Sequence, residues 1–545
     1  MTSGSNPFSS LAVALILSLA SIGLHAAVPD DIRALAAAAK AAPPQAQRPY
    51  DERDWLERFY AARAYAPAWT IPKGAAAVAL LRDSATQGIP ASDYQADALE
   101  KQLRAASGEK AALDAALDVA LTRTMLRYLA DLRVGRVRSE YHSVTPDPRL
   151  KTFDLVERLR AGVEASQLAA LVASAEPQIP LYQRIKTTLA HYRELALLPP
   201  VTLPPAVKGK KIEVDAPYLD AGALRTVLTM VGDLAAGAAP AVDDKYTQQL
   251  ADGVKRFQAR HGLEADGVLG RDTVAALNTP MSQRVRQLEL TLERMRWLPD
   301  FAAGQVIAVN LPAFRLWAFD TSAGKTDPPL EMKVIVGTAV KTETPLFIGA
   351  MRYLEFNPYW NVPRSIERGE IIPKMQKNAN YLLENDMEMV PLAGGAPTQA
   401  ADQTTIAGLS AGQYRVRQRP GPKNALGAIK FALPDPDNIY LHSTSARELF
   451  KRTRRDLSHG CIRVEKPQEL AQFVLHSRPD WDAEKIAAAM EPGESKTLSL
   501  KTPIPVVLFY TTAITEGDGR AIFSPDVYAR DPMLVKLLAK RSEAQ

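Results

Sequence analysis

The chain contains a single cysteine, Cys461, set in the run Ser458-His459-Gly460-Cys461-Ile462-Arg463, and a second histidine, His442, lies nineteen residues upstream of it. A thiol attacks carbonyls as its thiolate, and a nearby imidazole is the usual means of generating one. Gly460 permits backbone angles closed to other residues, so main-chain N–H groups around Cys461 could receive a developing oxyanion. These are the parts of a cysteine acyltransferase. Two other chemistries fit the same residue types. His442, His459 and Cys461 could hold a catalytic zinc, which takes three protein ligands and a water. Against that, the chain has no H-E-x-x-H type pattern of ligands at short helical spacing. The blander alternative is a buried, inert cysteine with incidental histidines. One cysteine excludes an intramolecular disulfide and any multi-cysteine metal cage within the chain.

The elements that must position these residues follow from length and pattern. At roughly 100–200 residues per domain, 545 residues predict about three folding units. With 46% hydrophobic and 23% charged residues the composition is that of a globular protein, not a collagen-like, disordered or many-span membrane chain. A net charge of +5 gives no argument for a nucleic-acid partner. Leu11–Leu24 is an apolar run too short to span a bilayer comfortably, followed by small residues. It predicts a signal peptide over 1–26 and export to the periplasm. No Lys or Arg precedes Leu11, however, which a misassigned start codon or an uncleaved anchor in the inner membrane would explain. A free thiol in an oxidising compartment is a liability, so its retention needs a reason.

Residues 49–200 are rich in Ala, Leu and Arg, with Leu121, Met125, Leu129 and Leu132 on one helical face, and predict a helical scaffold domain. Pro199–Ala216, with its prolines and Lys208-Gly209-Lys210-Lys211, predicts a linker. A small helical module follows over 218–278, where Leu250, Val254 and Phe257 form a stripe that His261-Gly262 ends. From Gln305 the period changes to two, as in Leu330, Met332, Val334 and Val336, with Ile439–Leu441 and Val506–Tyr510 as further β-rich runs and Pro434–Asn438 as a turn. This predicts a mostly-β domain over 300–512 and a C-terminal extension over 513–545. Between 365 and 424 the β signal fades, which predicts an insertion acting as a lid. The whole reads as a multidomain α+β chain.

Two resemblances sharpen this reading. Val254-Lys255-Arg256-Phe257-Gln258, Gly262-Leu263, Asp266-Gly267-Val268-Leu269-Gly270, Thr273 and Leu277-Asn278 resemble the peptidoglycan-binding domain family. His442 followed by Ser458-His459-Gly460-Cys461-Ile462-Arg463 resembles the signature of the L,D-transpeptidase (YkuD-type) catalytic domain. The strings Leu292–Pro299, Asn310–Leu316, Asn357–Pro363 and Asn424–Gly427 resemble that family's large, multidomain periplasmic subgroup. The resemblance implies Cys461 as nucleophile and His442 as base, oriented by a main-chain carbonyl, that of Ser443. It implies that His459 and Gly460 shape the loop and the oxyanion hole, with Ser458 and Arg463 supporting it. Tyr440 and Trp360 would be substrate-side walls, or else core packing. The implied partners are peptidoglycan stem peptides and glycan, with carbapenem-type compounds as inhibitors. No cofactor, metal or nucleic acid is implied, and a membrane only if the signal is an uncleaved anchor. The implied reaction joins two stems by a 3→3 cross-link in cell wall biogenesis. The same thioester would equally serve a hydrolase or the attachment of a wall protein, and a lapsed, non-catalytic wall-binding protein is the alternative of another class. Lys451, Arg452, Arg454 and Arg455 precede the nucleophile, as an attractor for anionic polymer or as a solvated basic loop.

Overall fold

The computed structural model describes residues 28–45, 47–106, 113–141, 147–205, 212–235, 244–323, 328–340, 342–434 and 439–543. The expected signal segment, the Lys208–Lys211 cluster and the turn at 435–438 lie outside the described residues. The chain forms two compact units, one drawn from 1–85, 90–133 and 144–176, the other from 86–89, 134–143 and 177–545.

The first unit is helical. Its helices include Trp55–Ala61, Ile71–Arg82, Ala96–Ala105, Ala115–Val134, Leu155–Glu164 and Leu168–Ala175. The stripe Leu121, Met125, Leu129 and Leu132 is fully buried, as its spacing requires. The same helix brings Asp118 and Asp131 inside, where each carboxylate is satisfied by neighbours. Asp118 accepts from the Tyr60 hydroxyl at 2.6 Å and from the main-chain N–H groups of Ala68 and Trp69 at 2.9 Å. Asp131 accepts from the hydroxyls of Tyr50 and Tyr94. These bonds are why the aromatic residues of this zone can be buried without stranding a polar atom.

In the second unit, the helices Pro180–Leu195 and Met281–Arg296 pack through Tyr182, Leu189, Leu288 and Met295. The second of these carries Glu293, which is wholly buried and ion-pairs with Arg136 at 3.2 Å and Arg296 at 3.0 Å. It also accepts from the Arg136 main-chain N–H at 2.7 Å and from the Trp297 indole at 3.2 Å. The string Leu292–Pro299 is thus a buried charge network. The small module is built round Gln258, whose amide donates to Asp266, Val268 O and Thr273 and accepts from Gly267 N–H at 2.8 Å. That network fixes the Asp266-Gly267 turn, with Gly267 at φ +77°. One expected linker residue belongs to this module: Leu203 is buried in its core, and its main chain pairs with the Asn278 amide in both directions at 2.8 Å. The prolines nearby masked a residue whose side chain is simply apolar.

The β-rich part contains β1 (Gln305–Asn310), β2 (Arg315–Asp320), β3 (Leu330–Gly337), β4 (Phe347–Phe356), β5 (Trp360–Asn361), β6 (Met387–Pro391), β7 (Tyr414–Gln418), β8 (Ile429–Ala432), β9 (Tyr440–His442), β10 (Asp456–Ser458), β11 (Ile462–Val464), β12 (Lys496–Phe509), β13 (Ala513–Thr515) and β14 (Ala521–Phe523). The main sheet runs β10-β3-β11-β9-β8-β4-β12-β1-β2, and β2 also pairs with β3. That last pairing closes eight strands into a ring. β3 manages this by dividing its length: Leu330–Lys333 pair with β2, Val334 and Ile335 with β11, and Val336 and Gly337 with β10. Val309, Leu316, Val334, Leu354, Phe431, Leu441, Ile462 and Val506 are among the residues that fill the core.

Between β5 and β8 the chain does make strands, where the sequence suggested that the β pattern lapses. β5, β7 and β6 form a separate three-stranded sheet with its own core of Ile366, Ile372, Met375, Met389, Leu409 and Val416. β7 reads Tyr-Arg-Val-Arg-Gln, too short and too polar to announce itself; pairing and the local core, not propensity, make it a strand. Beyond β12, β13 and β14 form a hairpin that packs on the small module, with Phe523 against His261 and the Arg260 guanidinium donating to Ala521 O. The helix Arg530–Glu543 follows. Among the described residues, no helix is long and apolar enough to cross a membrane.

Candidate active site

The register of two short strands assembles the site. β9 and β11 run parallel, with Leu441 beside Ile462 and His442 beside Arg463. Leu441 and Ile462 are wholly buried in the ring's core. Side chains alternate along a strand, so Tyr440, His442 and Arg463 emerge on the other face, and Cys461 falls at the next register position, beside Tyr440. The contacts agree: the Tyr440 hydroxyl hydrogen-bonds with the Cys461 side chain and with Trp360, and the Tyr440 and His442 rings are 5.6 Å apart. Burial, then the neighbouring Cys461, hold the Tyr440 phenol far above its usual range. Cys461 is half-buried.

His442 is fixed from behind. Its Nδ1 lies 2.5 Å from the Ser443 carbonyl, which can only accept, so Nδ1 carries the proton and Nε2 presents its lone pair. Ser443 is held in turn: its hydroxyl donates to Leu426 O at 3.0 Å and accepts from Ile429 N–H at 3.1 Å. Room for that hydroxyl exists because residue 427 is glycine; a Cβ there would sit 2.2 Å from Ser443 Oγ, and φ is +61°. Asn424 ties down the turn, accepting from Leu426 N–H and donating to Pro358 O and Arg419 O. The string Asn424–Gly427 thus backs the Ser443 turn that orients the imidazole, and Pro358 O helps to anchor it. Burial, and then the positive charge of Arg463, push His442 down to about 3, against the hydrogen bonds to the Ser443 and Leu426 main chain.

The loop that carries Cys461 is laced internally. The Ser458 hydroxyl donates to Cys461 O at 2.6 Å and accepts from Gly460 N–H at 3.2 Å. Gly460 stands at φ +116°, which a side chain would resist. The Gly460 N–H is thus engaged within the loop. His459 turns outward and pairs its Nε2 with Glu370 at 2.6 Å, a residue between β5 and β6. Burial lowers the affinity of Arg463 for its proton, and the nearby Cys461 and Glu448 oppose that. Among the described residues, no three His, Cys, Asp or Glu side chains are grouped to hold a metal ion.

The basic run before Cys461 is not a uniform patch. Arg455 is buried and donates to the carbonyls of Val334, Phe314, Arg452 and Thr453, and Arg454 pairs with Asp456 at 2.6 Å. Arg455 completes the turn between strands, and charge counting along the sequence cannot distinguish that from a free cation. The sequence also missed Thr338, Thr342 and Thr344. Thr342 donates to Ser458 O at 3.1 Å, Thr338 N–H donates to the same carbonyl at 3.0 Å, and Thr344 donates to Gly460 O at 2.7 Å. Their spacing, every second to fourth residue after Gly337, resembles any threonine-rich turn.

Comparison with known proteins shows what stretches of the chain are similar to. Residues 304–506 match the model of the L,D-transpeptidase catalytic domain, residues 221–277 that of the "Putative peptidoglycan binding domain", and residues 54–189 that of the "Scaffold domain". The chain carries an L,D-transpeptidase catalytic domain together with a peptidoglycan-binding domain. A curated protein of Haemophilus influenzae named "Putative L,D-transpeptidase" is 33% identical over 275 residues, 49% of this chain. The match spans about half, 54%, of that relative's length. A crystal structure of the L,D-transpeptidase (residues 123–326) from Xylanimonas cellulosilytica is 17% identical, with 56% of this chain and all of that one covered and a TM-score of 0.19.

Proposed function

We propose that this protein is a peptidoglycan L,D-transpeptidase that forms 3→3 cross-links through a thioester on Cys461. The observation that carries the reading is the shared face of Cys461, Tyr440, His442 and Arg463, with the Ser443 carbonyl reserving Nε2 of His442 for proton transfer. His442 takes the thiol proton as Sγ attacks the carbonyl of the third residue of a tetrapeptide donor stem. A C–S bond forms, the bond to the terminal D-alanine breaks, and the departing amine leaves with the proton held on His442. The side-chain amine of a second stem then attacks the thioester, gives a proton to His442, and the thiol is restored as the C–S bond breaks. The carboxylate of a triad is replaced here by a neutral carbonyl, which orients the imidazole and favours its protonated form without supplying a full negative charge. The peptidoglycan-binding domain supports a wall polymer as the partner, and an extracytoplasmic site of action, the periplasm, follows from that substrate.

Mass spectrometry of muropeptides after incubation with the purified protein tests the reading. The 3→3 dimer should appear with wild type and vanish with Cys461→Ala. A dimer of unchanged yield from that variant refutes Cys461 as nucleophile, and free tripeptide without dimer supports the hydrolase instead.

A further inference from the structure

The segment beyond β12 lies outside the residues that match the catalytic family, yet it reaches the back of the nucleophile's loop. The Tyr528 hydroxyl donates to Gly337 O at 2.6 Å and accepts from Thr344 N–H at 3.3 Å. The Thr344 hydroxyl accepts from Gly337 N–H at 2.9 Å and donates to Gly460 O at 2.7 Å. Tyr528 and Thr344 are buried, so each bond acts in a medium where an unmade one is costly. Gly337 has no space for a side chain, since a Cβ there would stand 1.8 Å from Thr342 O. The backbone at Gly337 is therefore pressed against that of Thr342 and Thr344, with Tyr528 pinning Gly337 and Thr344. In a trans peptide the carbonyl of one residue points opposite to the N–H of the next. Tying Gly460 O to Thr344 thus sets the plane of the Gly460–Cys461 peptide and turns the Cys461 N–H away from Thr344.

We infer that Tyr528 is a positioning residue for the nucleophile, acting through Thr344 and the Gly460 carbonyl to fix the Cys461 peptide for attack and for stabilising the oxyanion. The inference rests on Cys461 being the nucleophile, as proposed above. An inert core tyrosine would also fill this space, but such a role needs only the ring, which stacks on Tyr510 at 5.7 Å. The hydroxyl is what the chain of bonds uses. Tyr528 is itself seated by Tyr510, whose hydroxyl accepts from Tyr528 N–H at 2.9 Å.

Tyr528→Phe keeps the ring and removes the link. On muropeptides its kcat should fall about 10- to 100-fold with KM within about twofold, as expected when a reacting group is held slightly out of place. Thr344→Val should match it and Thr344→Ser should restore most of the rate, while the Tyr528→Phe/Thr344→Val double variant should lose no more than either alone. A wild-type kcat in Tyr528→Phe, or losses that multiply in the double variant, overturns the inference. Alkylation of Cys461 by iodoacetamide, measured on the same full-length proteins, needs no wall substrate and should slow severalfold in Tyr528→Phe. Should wild type make no cross-link while that slowing persists, the proposed reaction fails and the role of Tyr528 stands. Unchanged alkylation together with unchanged kcat overturns the role alone.

Discussion

The burial of His442 makes a quantitative prediction about acid. An imidazole with the ordinary value of 6.5 is about 90% neutral at pH 7.5 and about 3% neutral at pH 5, so a base of that kind loses roughly 30-fold in activity over the interval. His442 is pushed down to about 3, chiefly by burial and then by Arg463, and is still about 99% neutral at pH 5. The rate of Cys461 acylation by a carbapenem-type compound, followed by loss of its absorbance in single turnover, should therefore change less than about threefold between pH 7.5 and 5. The same burial costs stability. A histidine whose folded value lies below its unfolded one binds fewer protons in the fold, so the stability it allows is fully present above 6.5 and is lost as pH falls toward 3. At pH 5 the loss relative to neutral pH is about 2 kcal/mol from His442. His261, buried and also held well below its ordinary value, adds a loss of the same sign. His442→Gln should remove its own share, flattening the fall in unfolding free energy between pH 7.5 and 5 by about 2 kcal/mol. An acylation rate that drops about 30-fold with a midpoint between pH 6 and 7 would refute the placement of this imidazole in a desolvated pocket with Nε2 as base.

Three further outcomes follow from the packing. Gly427→Ala must displace Ser443 and should cut acylation at least about tenfold, measured in the same single-turnover assay, while thermal unfolding shows most of the fold retained. Glu293→Gln leaves Arg136 and Arg296 buried without their counter-charge and should destabilise by about 3–5 kcal/mol in urea titration, whereas an unchanged midpoint would contradict the buried network. Excising the three-stranded sheet region between β5 and β8, which reaches His459 through Glu370, should raise hydrolysis relative to cross-linking as scored by muropeptide mass spectrometry; an unchanged ratio rejects the idea that it excludes water.

What could be read from the sequence was what local pattern or residue chemistry encodes. The Leu121–Leu132 stripe, the alternation of β3 and the neighbourhood of Cys461 and His442 are of this kind. The strings Leu292–Pro299 and Asn424–Gly427 could be matched to a family without their purpose being visible. Their purpose is non-local: Glu293 answers Arg136, 157 positions away, and Gly427 makes space for Ser443. Tyr528 and Glu370 carried no signal at all, since Glu370 meets the loop of Cys461, and Tyr528 reaches it through Thr344, only because a distant segment folds onto it. Arg455 misled for the opposite reason, because a cation in a basic run looks free until its carbonyl partners are known.

The closure of eight strands has a bearing on how this fold withstands crowding. The hoop is not wholly free of rims: besides the three-residue β10, the stretch of β12 before Val506 pairs with β4 but not with β1, and the exposed Lys496 and Lys501 on it are charges that oppose the zipping of another backbone. His442 and Cys461 stand on or beside adjoining staves, and prising them apart would mean tearing the ladder between β9 and β11. The spacing between the two side chains is therefore set by strand register and not by a mobile loop alone.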